Sequence, residues 1–407
     1  MKLLLTTNAR LYKTPDGKYW TSVVYRYDFF QRYLKVFNCI RLVAHVEICT
    51  EDKVHGMIRV DGPNLEVFEV PFPHGKLQYI KKYNSIKEMA SQSISGCQAA
   101  ILRIPDQLAF QLFPLLKKSK IPIGVEVTAD SWEYFAKGTS SSIFRPFLRV
   151  LWHKNQRAVC RSAEGIAYVT ESALQKRYPP CLEIRNSNYN RFTTSYTSAD
   201  IDDSWFFTEK PFNDIHNRNP RIIHVSTSIE GNAKGHFELL SAIGMLKEKG
   251  KEVNLILVGG GKFNRENEQV IEKYKIRNNI RCTGMLDFKE LQSEMKEADL
   301  FVFPSYREGL PRVVIEAMAS GLPCIASDLP GTRELLKEDC LVPVKNTIKL
   351  YEKIDELLSN PEKMAYESKI NIKVAKKYGR KLIAQKRNDF YSLLREEANK
   401  FERDFSK

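Results

Sequence analysis

The stretch Ala298–Leu336 constrains the fold of this chain more than any other segment, with the sequence ADLFVFPSYREGLPRVVIEAMASGLPCIASDLPGTRELL. Leu300–Phe303 is a continuous apolar run, which is typical of a strand covered on both faces of a parallel sheet. Pro311 stands where a first-turn proline begins a helix, and Gly321 stands where that helix ends. Leu322–Ala326 begins the next strand. The segment therefore predicts a strand–helix–strand unit of an α/β sheet.

The rest of the second half continues this alternation of strands and helices, which predicts a doubly wound parallel sheet. The predicted strands are Arg221–Ser226, Val253–Val258 and Ile280–Thr283, and the predicted helices are Gly235–Lys247, Arg265–Tyr274, Asp287–Lys296 and Thr347–Leu358. Asp287 with Glu290 three residues later forms a capping-box pattern at the start of one helix.

The first half is similar in kind but less regular. Its predicted strands are Lys2–Thr6, Arg41–Ile48, Val67–Val70, Ala99–Ile104, Ile123–Thr128 and Gly165–Thr170. Glu183–Asn219 is rich in polar residues, and we place the interdomain connection there. Since 407 residues exceed one typical core, we predict domains at 1–205 and 206–380, with 381–407 as a C-terminal helix. A long final helix, Pro361–Phe401, is expected to break near Tyr378-Gly379.

Composition narrows the class of protein. No apolar run approaches the ~20 residues that a membrane span needs, and the eight cysteines form no C-x-x-C pair, which favours reduced cysteines in a cytoplasmic protein. The net charge of +14 is uneven: residues 1–200 carry 28 Lys+Arg against 17 Asp+Glu (+11), and the remainder carries 35 against 32 (+3). A basic first half favours an anionic lipid or a pyrophosphate-bearing acceptor, with a merely basic surface as the alternative. No nucleic-acid-binding signature accompanies the charge.

Two glutamates and two amides mark a candidate ligand site in the first segment. Glu308 and Glu316 have an E-x7-E spacing, one at the mouth of the predicted site and the other about two turns down the helix. Each carboxylate can accept two hydrogen bonds from a vicinal diol of a sugar. The amides of Gly309 and Leu310 precede a helix that opens at the carboxyl end of a strand, where a phosphate is favoured.

This segment resembles the signature of the retaining GT-B glycosyltransferases of family 4, over about Ile222–Val344 and loosely over the first domain. The resemblance implies two Rossmann-like domains that face a cleft, and transfer of a sugar from a nucleotide diphosphate sugar with retention of configuration. In that family the first Glu contacts the donor sugar and the second holds the ribose, which assigns those roles to Glu308 and Glu316.

A second family feature falls at His224–Phe237, where a strand leads to a loop that ends in Lys-Gly. In the family this Lys and a nearby Arg neutralise the diphosphate, so the resemblance assigns a catalytic role to Lys234. The Arg is missing, because Ser226-Thr227-Ser228 occupies its place, and Ser226 is a candidate donor contact there. An exposed loop lysine is the alternative interpretation of Lys234.

Two further segments resemble donor-binding parts of the family. Gly259 and Gly260 form a strand-end turn that lets backbone approach a ligand closely, although three successive glycines also suit an ordinary turn. Thr283, Gly284 and Met285 match the segment whose backbone meets the nucleotide base.

In the first domain, Asn8 and Arg10 follow the first predicted strand and are candidate donor contacts where the family has a glycine-rich loop. Asp130 follows another predicted strand and is a candidate to receive the acceptor proton, with helix capping as the equal alternative. Phe144–Arg161 reads as a basic amphipathic helix, suited either to an anionic membrane or to a core with a charged outer face.

The histidines show no metal-ligand spacing and are expected to be packing or surface residues. This expectation covers five of the seven histidines, namely His45, His55, His74, His153 and His236. No metal and no cofactor are expected, since the nucleotide sugar is a substrate.

The resemblance implies a hexosyltransferase-type enzyme of cell-surface polysaccharide biosynthesis that acts on a glycan or lipid-linked acceptor. We expect it in the cytoplasm, at the inner face of the cytoplasmic membrane, with peripheral contact with anionic lipid. The alternatives are a non-catalytic GT-B protein that binds nucleotide sugars, and another GT-B sugar-phosphate enzyme such as a phosphorylase or an epimerase.

Overall fold

The computed structural model describes residues 1–22, 25–73, 76–136, 143–181, 191–207 and 210–405. The chain divides into two compact units, which we call the first unit (Met1–Tyr196 with Ala384–Lys407) and the second unit (Thr197–Ile383). The chain passes from one unit to the other at 196/197 and again at 383/384, where we had predicted boundaries at 205/206 and 380/381.

Each unit contains a parallel sheet and its helices. The strands are β1 (Lys2–Lys13), β2 (Tyr19–Thr21), β3 (Cys39–Ile48), β4 (Ile58–Arg59), β5 (Leu65–Pro71), β6 (Ala99–Ile104), β7 (Ile123–Val127), β8 (Gly165–Tyr168), β9 (Phe192–Ser195), β10 (Arg221–Ser228), β11 (Asn254–Gly260), β12 (Ile280–Gly284), β13 (Leu300–Phe303), β14 (Cys324–Ser327) and β15 (Leu341–Val342). The helices are α1 (Tyr27–Leu34), α2 (Lys76–Gln92), α3 (Gln107–Ser119), α4 (Ser131–Tyr134), α5 (Arg145–Ser162), α6 (Ala173–Arg177), α7 (His236–Glu248), α8 (Arg265–Tyr274), α9 (Phe288–Glu297), α10 (Arg312–Ala319), α11 (Thr347–Leu358), α12 (Pro361–Ala375) and α13 (Arg380–Phe405).

The first unit is built on the parallel strand order β5-β3-β1-β6-β7-β8-β9, with β2 and β4 added as an antiparallel edge. The strand predicted at Lys2–Thr6 continues to Lys13, because β1 pairs with β3 on both sides of a register shift between Thr6 and Arg10. Part of the predicted irregular connection is also a strand: β9 pairs in parallel with β8. Residues 182–190 of that connection lie outside the described residues.

A buried carboxylate holds α13 to the sheet of the first unit. Glu126 on β7 accepts hydrogen bonds from the hydroxyls of Tyr33 (2.9 Å), Tyr196 (2.9 Å) and Tyr391 (2.7 Å), and it pairs with Arg103 on β6. Burial alone raises the pKa of Glu126, but Arg103 and the three hydroxyls outweigh it and lower that pKa. Because Tyr391 lies on α13, this network fixes the last helix against the first unit.

The second unit has an all-parallel sheet in the order β12-β11-β10-β13-β14-β15. Local sequence sets several of its boundaries. Asp287 and Glu290 form the expected capping box at the start of α9. At the other end of α9, the Lys210 ammonium donates to the carbonyls of Met295, Lys296 and Ala298 at 2.7–2.9 Å. Such contacts satisfy carbonyls that a helix end leaves open.

The long predicted C-terminal helix is interrupted where the sequence suggested. After α12, a 3₁₀ turn at Lys376–Tyr378 leads to Gly379, whose extended backbone (φ −60°, ψ 144°) separates it from α13. The Arg380 amide donates to the carbonyl of Ile201 at 2.6 Å.

Candidate functional site

The predicted donor residues of the second unit gather at the carboxyl ends of its central strands. β10 pairs with β11 on one side and with β13 on the other, so the strand order reverses at β10. Ligands of open α/β sheets bind at such a reversal, because loops leave the sheet in opposite directions and open a crevice there.

Glycine lets the loop after β10 press against the end of β13. Asn232–Lys234 forms a 3₁₀ turn, and Gly235 follows it with φ +76° before α7 begins. A Cβ at this position would lie 2.1 Å from the carbonyl oxygen of Pro304. Gly235 is therefore required both by its left-handed backbone and by the close approach of the two loops.

Hydrogen bonds join these two loops. The amide of Tyr306 donates to the carbonyl of Ala233 at 3.0 Å, and its hydroxyl donates to both oxygens of Glu238 on α7 at 2.8 Å. Burial raises the pKa of Glu238, with the Tyr306 hydroxyl acting in the opposite direction. The two loops thus form one framework that carries the side chains of the site.

Lys234 and Glu308 meet on this framework. The Lys234 Nζ lies 2.5 Å from Glu308 Oε1, which also accepts from the Ser305 hydroxyl at 2.7 Å. The side chains are 32% and 16% exposed, so both remain accessible to a ligand. When a ligand binds, the ammonium can pair with a phosphate oxygen and the carboxylate can accept from a sugar hydroxyl, in place of their contact with each other.

Two backbone amides beside this pair are open. Among the described residues, the amides of Gly309 and Leu310 have no hydrogen-bond acceptor. A Cβ on Gly331 would lie 1.6 Å from the carbonyl oxygen of Gly309. Glycine is therefore needed at this position for the segment 330–332 to pack against the loop that carries Gly309. Pro311 is the N-cap of α10, which places the open amides just before a helix N-terminus, where an anion is favoured.

Glu316 lies nearer the start of its helix than we predicted. Because α10 begins at Arg312, Glu316 is about one turn into the helix, and Glu308 belongs to the preceding loop. Burial raises the pKa of Glu316, and the charge of Arg312 opposes this effect. Within the described part of the chain its carboxylate has no hydrogen-bonding partner, so it retains its full capacity to accept ligand hydroxyls.

Gly259 and Gly260, which we predicted as a turn after the strand, are the last residues of β11 and lie directly beside the end of β10. A Cβ on Gly259 would lie 2.9 Å from the carbonyl oxygen of Ser226, and one on Gly260 would lie 3.5 Å from Met285 Cγ. Thr283 and Gly284 end β12, with the Thr283 hydroxyl 3.0 Å from the Gly284 carbonyl. The structure thus brings the predicted residues of the second unit to one edge of its sheet.

The candidates of the first unit are engaged within that unit. Asn8 and Arg10 lie inside β1 and not in a loop after it. Arg10 pairs with Glu47 at 3.3 Å and lies 3.4 Å from the ring centroid of Phe72. The Asn8 side chain accepts a 3.4 Å hydrogen bond from the hydroxyl of Tyr25.

Asp130 adopts the capping alternative. Its carboxylate accepts from the Trp132 amide at 2.9 Å, as the N-cap of α4, and from the Tyr178 hydroxyl at 2.6 Å. It also pairs with Arg177. A carboxylate with these partners is poorly placed to take a proton, so we assign it a structural part.

Two buried histidines lie beside the end of β10: His236, which we expected to be a packing or surface residue, and His224, which the sequence reasoning did not consider. His224 on β10 and His236 on α7 have ring centroids 4.8 Å apart, and both are fully buried. The His236 Nδ1 lies 2.9 Å from the carbonyl of Gly231, and its Nε2 lies 3.3 Å from Ser226 Oγ. Burial lowers the pKa of each ring, and Lys234 adds to the effect. The position of His236 directly after Lys-Gly was the available signal.

The described residues form neither a metal-binding cluster nor a helix that could span a membrane. Across the described ranges, no three or more His, Cys, Asp or Glu side chains are grouped so that they could hold a metal ion. In the part of the chain that the structure describes, no helix combines the length and apolar composition that a membrane span requires.

Residues 206–374 match the family model described as Glycosyl transferases group 1. Protein CapJ of Staphylococcus aureus is 25% identical over 380 residues, which cover 91% of this chain and 91% of CapJ. The putative colanic acid biosynthesis glycosyltransferase WcaL of Escherichia coli (strain K12) is 30% identical over 112 residues, which cover 26% of this chain and 28% of WcaL. The chain thus spans most of CapJ and about a quarter of WcaL.

Solved structures share the fold over nearly the whole chain. Sucrose-phosphate synthase from Thermosynechococcus elongatus has a TM-score of 0.67 at 16% identity and covers 97% of this chain and 99% of its own. HepE of Anabaena in complex with UDP has a TM-score of 0.62 at 14% identity, covering 95% and 98%. These likenesses show the GT-B fold. Residues 206–374 match the glycosyl transferases group 1 family, which supports transferase activity for a chain of this fold.

Proposed function

We propose that the chain is a retaining glycosyltransferase of family 4 that moves a sugar from a nucleotide diphosphate sugar to a glycan or lipid-linked acceptor. The observation that carries this proposal is the contact of Lys234 with Glu308 beside the open amides of Gly309 and Leu310. This arrangement combines a cation, two amide donors and a carboxylate at the edge of the sheet where ligands bind.

Each group has a role that its chemistry suits. Lys234 and the two amides hold the diphosphate, whose negative charge grows as the sugar leaves. Glu316 accepts from the hydroxyls of the ribose, and Glu308 accepts from those of the sugar. The bond from the anomeric carbon to the phosphate oxygen breaks, and a bond to the acceptor oxygen forms on the same face. The acceptor proton passes to the departing phosphate, so no side-chain base and no metal ion is required.

The acceptor proposal draws on the relatives and on the charge of the chain. WcaL is named for colanic acid biosynthesis, which supports a place in the assembly of a cell-surface polysaccharide. Residues 1–200 carry the excess of positive charge, which suits an acceptor with a lipid-linked pyrophosphate. We therefore propose that the enzyme acts at the inner face of the cytoplasmic membrane.

One face of α5 supports that location. Phe147 and Val150 are exposed on this face (66% and 44%), Ile143 just before the helix is 84% exposed, and Lys154 and Arg157 follow on the same face, one to two turns further on. Apolar side chains followed by basic ones suit the interface of an anionic membrane, where the apolar groups enter the acyl boundary and the cations contact headgroups.

A thermal-shift screen against UDP-, GDP-, ADP- and dTDP-sugars, without metal, tests the donor site. A ligand present at ~100 times its dissociation constant adds ~2.7 kcal/mol to the free energy of unfolding, so one nucleotide sugar should raise the Tm clearly. Glu316→Ala should abolish that shift, and Glu272→Gln, an exposed position on α8, should keep it. Silence of all four sugars would contradict the proposal. With the donor known, the anomeric configuration of the product by NMR tests retention.

A further inference from the structure

The candidate diphosphate site lacks a cation that the sequence resemblance leads us to expect. A nucleotide sugar carries two phosphate charges, and Lys234 supplies one positive charge. Ser226-Thr227-Ser228 stands in the place of the second cation. His236, at the start of α7, is a titratable group that contacts this segment through Ser226.

Three contacts link His236 to the loop. Its Nδ1 lies 2.9 Å from the carbonyl of Gly231, and its Nε2 lies 3.3 Å from the hydroxyl oxygen of Ser226. That hydroxyl in turn lies 3.0 Å from the carbonyl of Ser228. The two carbonyls can only accept, so each contact requires a hydrogen from His236 or from Ser226.

A neutral imidazole cannot make all three contacts. Its single N–H must be on Nδ1 to donate to Gly231, so Nε2 has to accept the hydroxyl hydrogen of Ser226, and the Ser228 carbonyl is then left without its donor. An imidazolium donates from both nitrogens. Ser226 then accepts from Nε2 and keeps its own hydrogen for Ser228 or for a ligand oxygen. All three contacts can therefore be hydrogen bonds at the same time only when the ring is charged.

The surroundings of the ring oppose that charge in the ligand-free protein. Burial lowers the pKa of His236 and the nearby ammonium of Lys234 lowers it further, while the carbonyl of Gly231 acts in the opposite direction. A diphosphate on Lys234 and Ser226 reverses this balance, because its negative charges offset that of Lys234 and favour a proton on the buried ring. Glu308, which pairs with Lys234, adds a further negative charge.

We propose that His236 is the conditional second cation of the diphosphate site: it takes up a proton when a nucleotide sugar binds and acts through Ser226 on the phosphate. The proton enters at Nε2, since Nδ1 already donates to Gly231. His236 is thus a positioning residue, and its charge exists mainly in the complex. This inference rests on the proposed function.

Proton uptake can be measured by titration calorimetry in two buffers of different ionisation enthalpy, at several pH values from 6.5 to 8. The probes are UDP-glucose, GDP-mannose, ADP-glucose and dTDP-glucose, and the tightest is used throughout. Nucleotide sugars suit this test because they lack a terminal phosphate group that would itself titrate near pH 6. We expect net proton uptake and an affinity that falls with rising pH, approaching tenfold per pH unit.

Three histidine variants locate the proton. His236→Gln keeps a donor that can reach Ser226 but cannot become charged, so it should bind without proton uptake and with a flat pH profile. His236→Asn, which keeps a donor toward Gly231, provides a second test should the first variant fold poorly. His216→Gln removes an exposed histidine of the same unit and should behave as the wild type.

Each outcome decides the matter. Uptake that persists in both His236 variants, or is absent from the wild type, overturns the proposal. Uptake that is lost in His224→Gln while His236→Gln retains it assigns the proton to the other ring and also overturns it. Weaker binding by Arg307→Gln, together with wild-type affinity and proton uptake in His236→Gln, would make that arginine the second charge and overturn the proposal. Failure of all four sugars to bind contradicts the proposed function itself. Normal affinity without proton uptake contradicts only the role of His236.

Discussion

The two units have matching sheets, but Glu126 and Asp130 of the first unit differ from Glu316 of the second in how many protein groups bond to their carboxylates. In each, the first strand of the unit lies at the centre of the sheet, with the strand order reversing beside it. In the first unit, Glu126 has four protein partners and Asp130 has three. In the second unit, Glu316 and the amides of Gly309 and Leu310 have none among the described residues.

This difference teaches where to look for the ligand. Buried polar groups in folded proteins are hydrogen-bonded, because an unmet group costs free energy. A satisfied carboxylate such as Glu126 therefore holds the fold, whereas an unsatisfied one such as Glu316 keeps hydrogen-bonding capacity for a substrate. The same residue type thus has a structural role in the first unit and a candidate ligand-binding role in the second.

The largest expected effect is on the stability of the first unit. Glu126→Ala leaves Arg103 without its counter-charge and three tyrosine hydroxyls without their acceptor, and breaking such a buried pair costs about 3–5 kcal/mol. Denaturant unfolding measures the loss. Glu88→Ala, at an exposed position on α2, should change the free energy of unfolding by less than about 0.5 kcal/mol. Equal stability of the two variants would show that the network contributes little.

The next effect is on the activity of the second unit. Lys234→Ala and Glu316→Ala should each lower kcat/KM by about 10²–10³, the loss found when one preorganised charge-stabilising group is removed. The rate is measured with the donor found by the thermal-shift screen, and circular dichroism checks the fold. Lys249→Ala, an exposed lysine of the same unit, is the matched control.

Asp130→Asn sharpens the same comparison. Because the Asp130 carboxylate caps α4 and pairs with Arg177, its replacement should reduce kcat/KM by less than tenfold. A loss as large as that of Lys234→Ala would instead give this residue a part in the chemistry.

A smaller effect is expected for membrane binding through α5. Each basic residue near an anionic surface contributes about 1 kcal/mol, so the double variant Lys154→Ala/Arg157→Ala should weaken binding by roughly 30-fold. Co-sedimentation with phosphatidylglycerol vesicles measures this, with phosphatidylcholine vesicles for comparison. Lys249→Ala/Lys262→Ala removes two exposed lysines of the second unit and should bind as the wild type does. Equal weakening in both pairs would contradict a specific role for α5.

The smallest effect concerns the buried Asp106, the N-cap of α3. Burial raises its pKa to about 7, and the amides of α3 act in the opposite direction. Since the folded pKa exceeds the unfolded one, this residue makes the protein less stable as the pH rises from about 4 to 7. Asp106→Asn keeps the cap without the charge, so it should gain on the order of 1 kcal/mol at pH 8 and little at pH 4. Thermal unfolding at both pH values checks this, and an equal shift at both would refute it.

Much of the fold could be read from local patterns, because its strands and helices carry their own periodicity. Arg265–Tyr274, Leu300–Phe303 and Thr347–Leu358 have the predicted bounds. The misses have a common cause. The continuation of β1 to Lys13 and the short strand β9 depend on pairing with β3 and β8, which no local pattern encodes. Asn8 and Arg10 were misplaced for that reason.

The sequence alone predicted the candidate donor residues Lys234, Glu308 and Glu316, since they belong to short motifs that lie in or beside a predicted strand–helix unit. Only the tertiary structure decided which polar groups have hydrogen-bonding partners within the protein. Tyr178 lies 48 positions from Asp130, Tyr391 lies 265 from Glu126, and His236 lies 10 from Ser226. Such contacts form when elements pack, and packing determines whether a side chain holds the fold or remains available to a substrate.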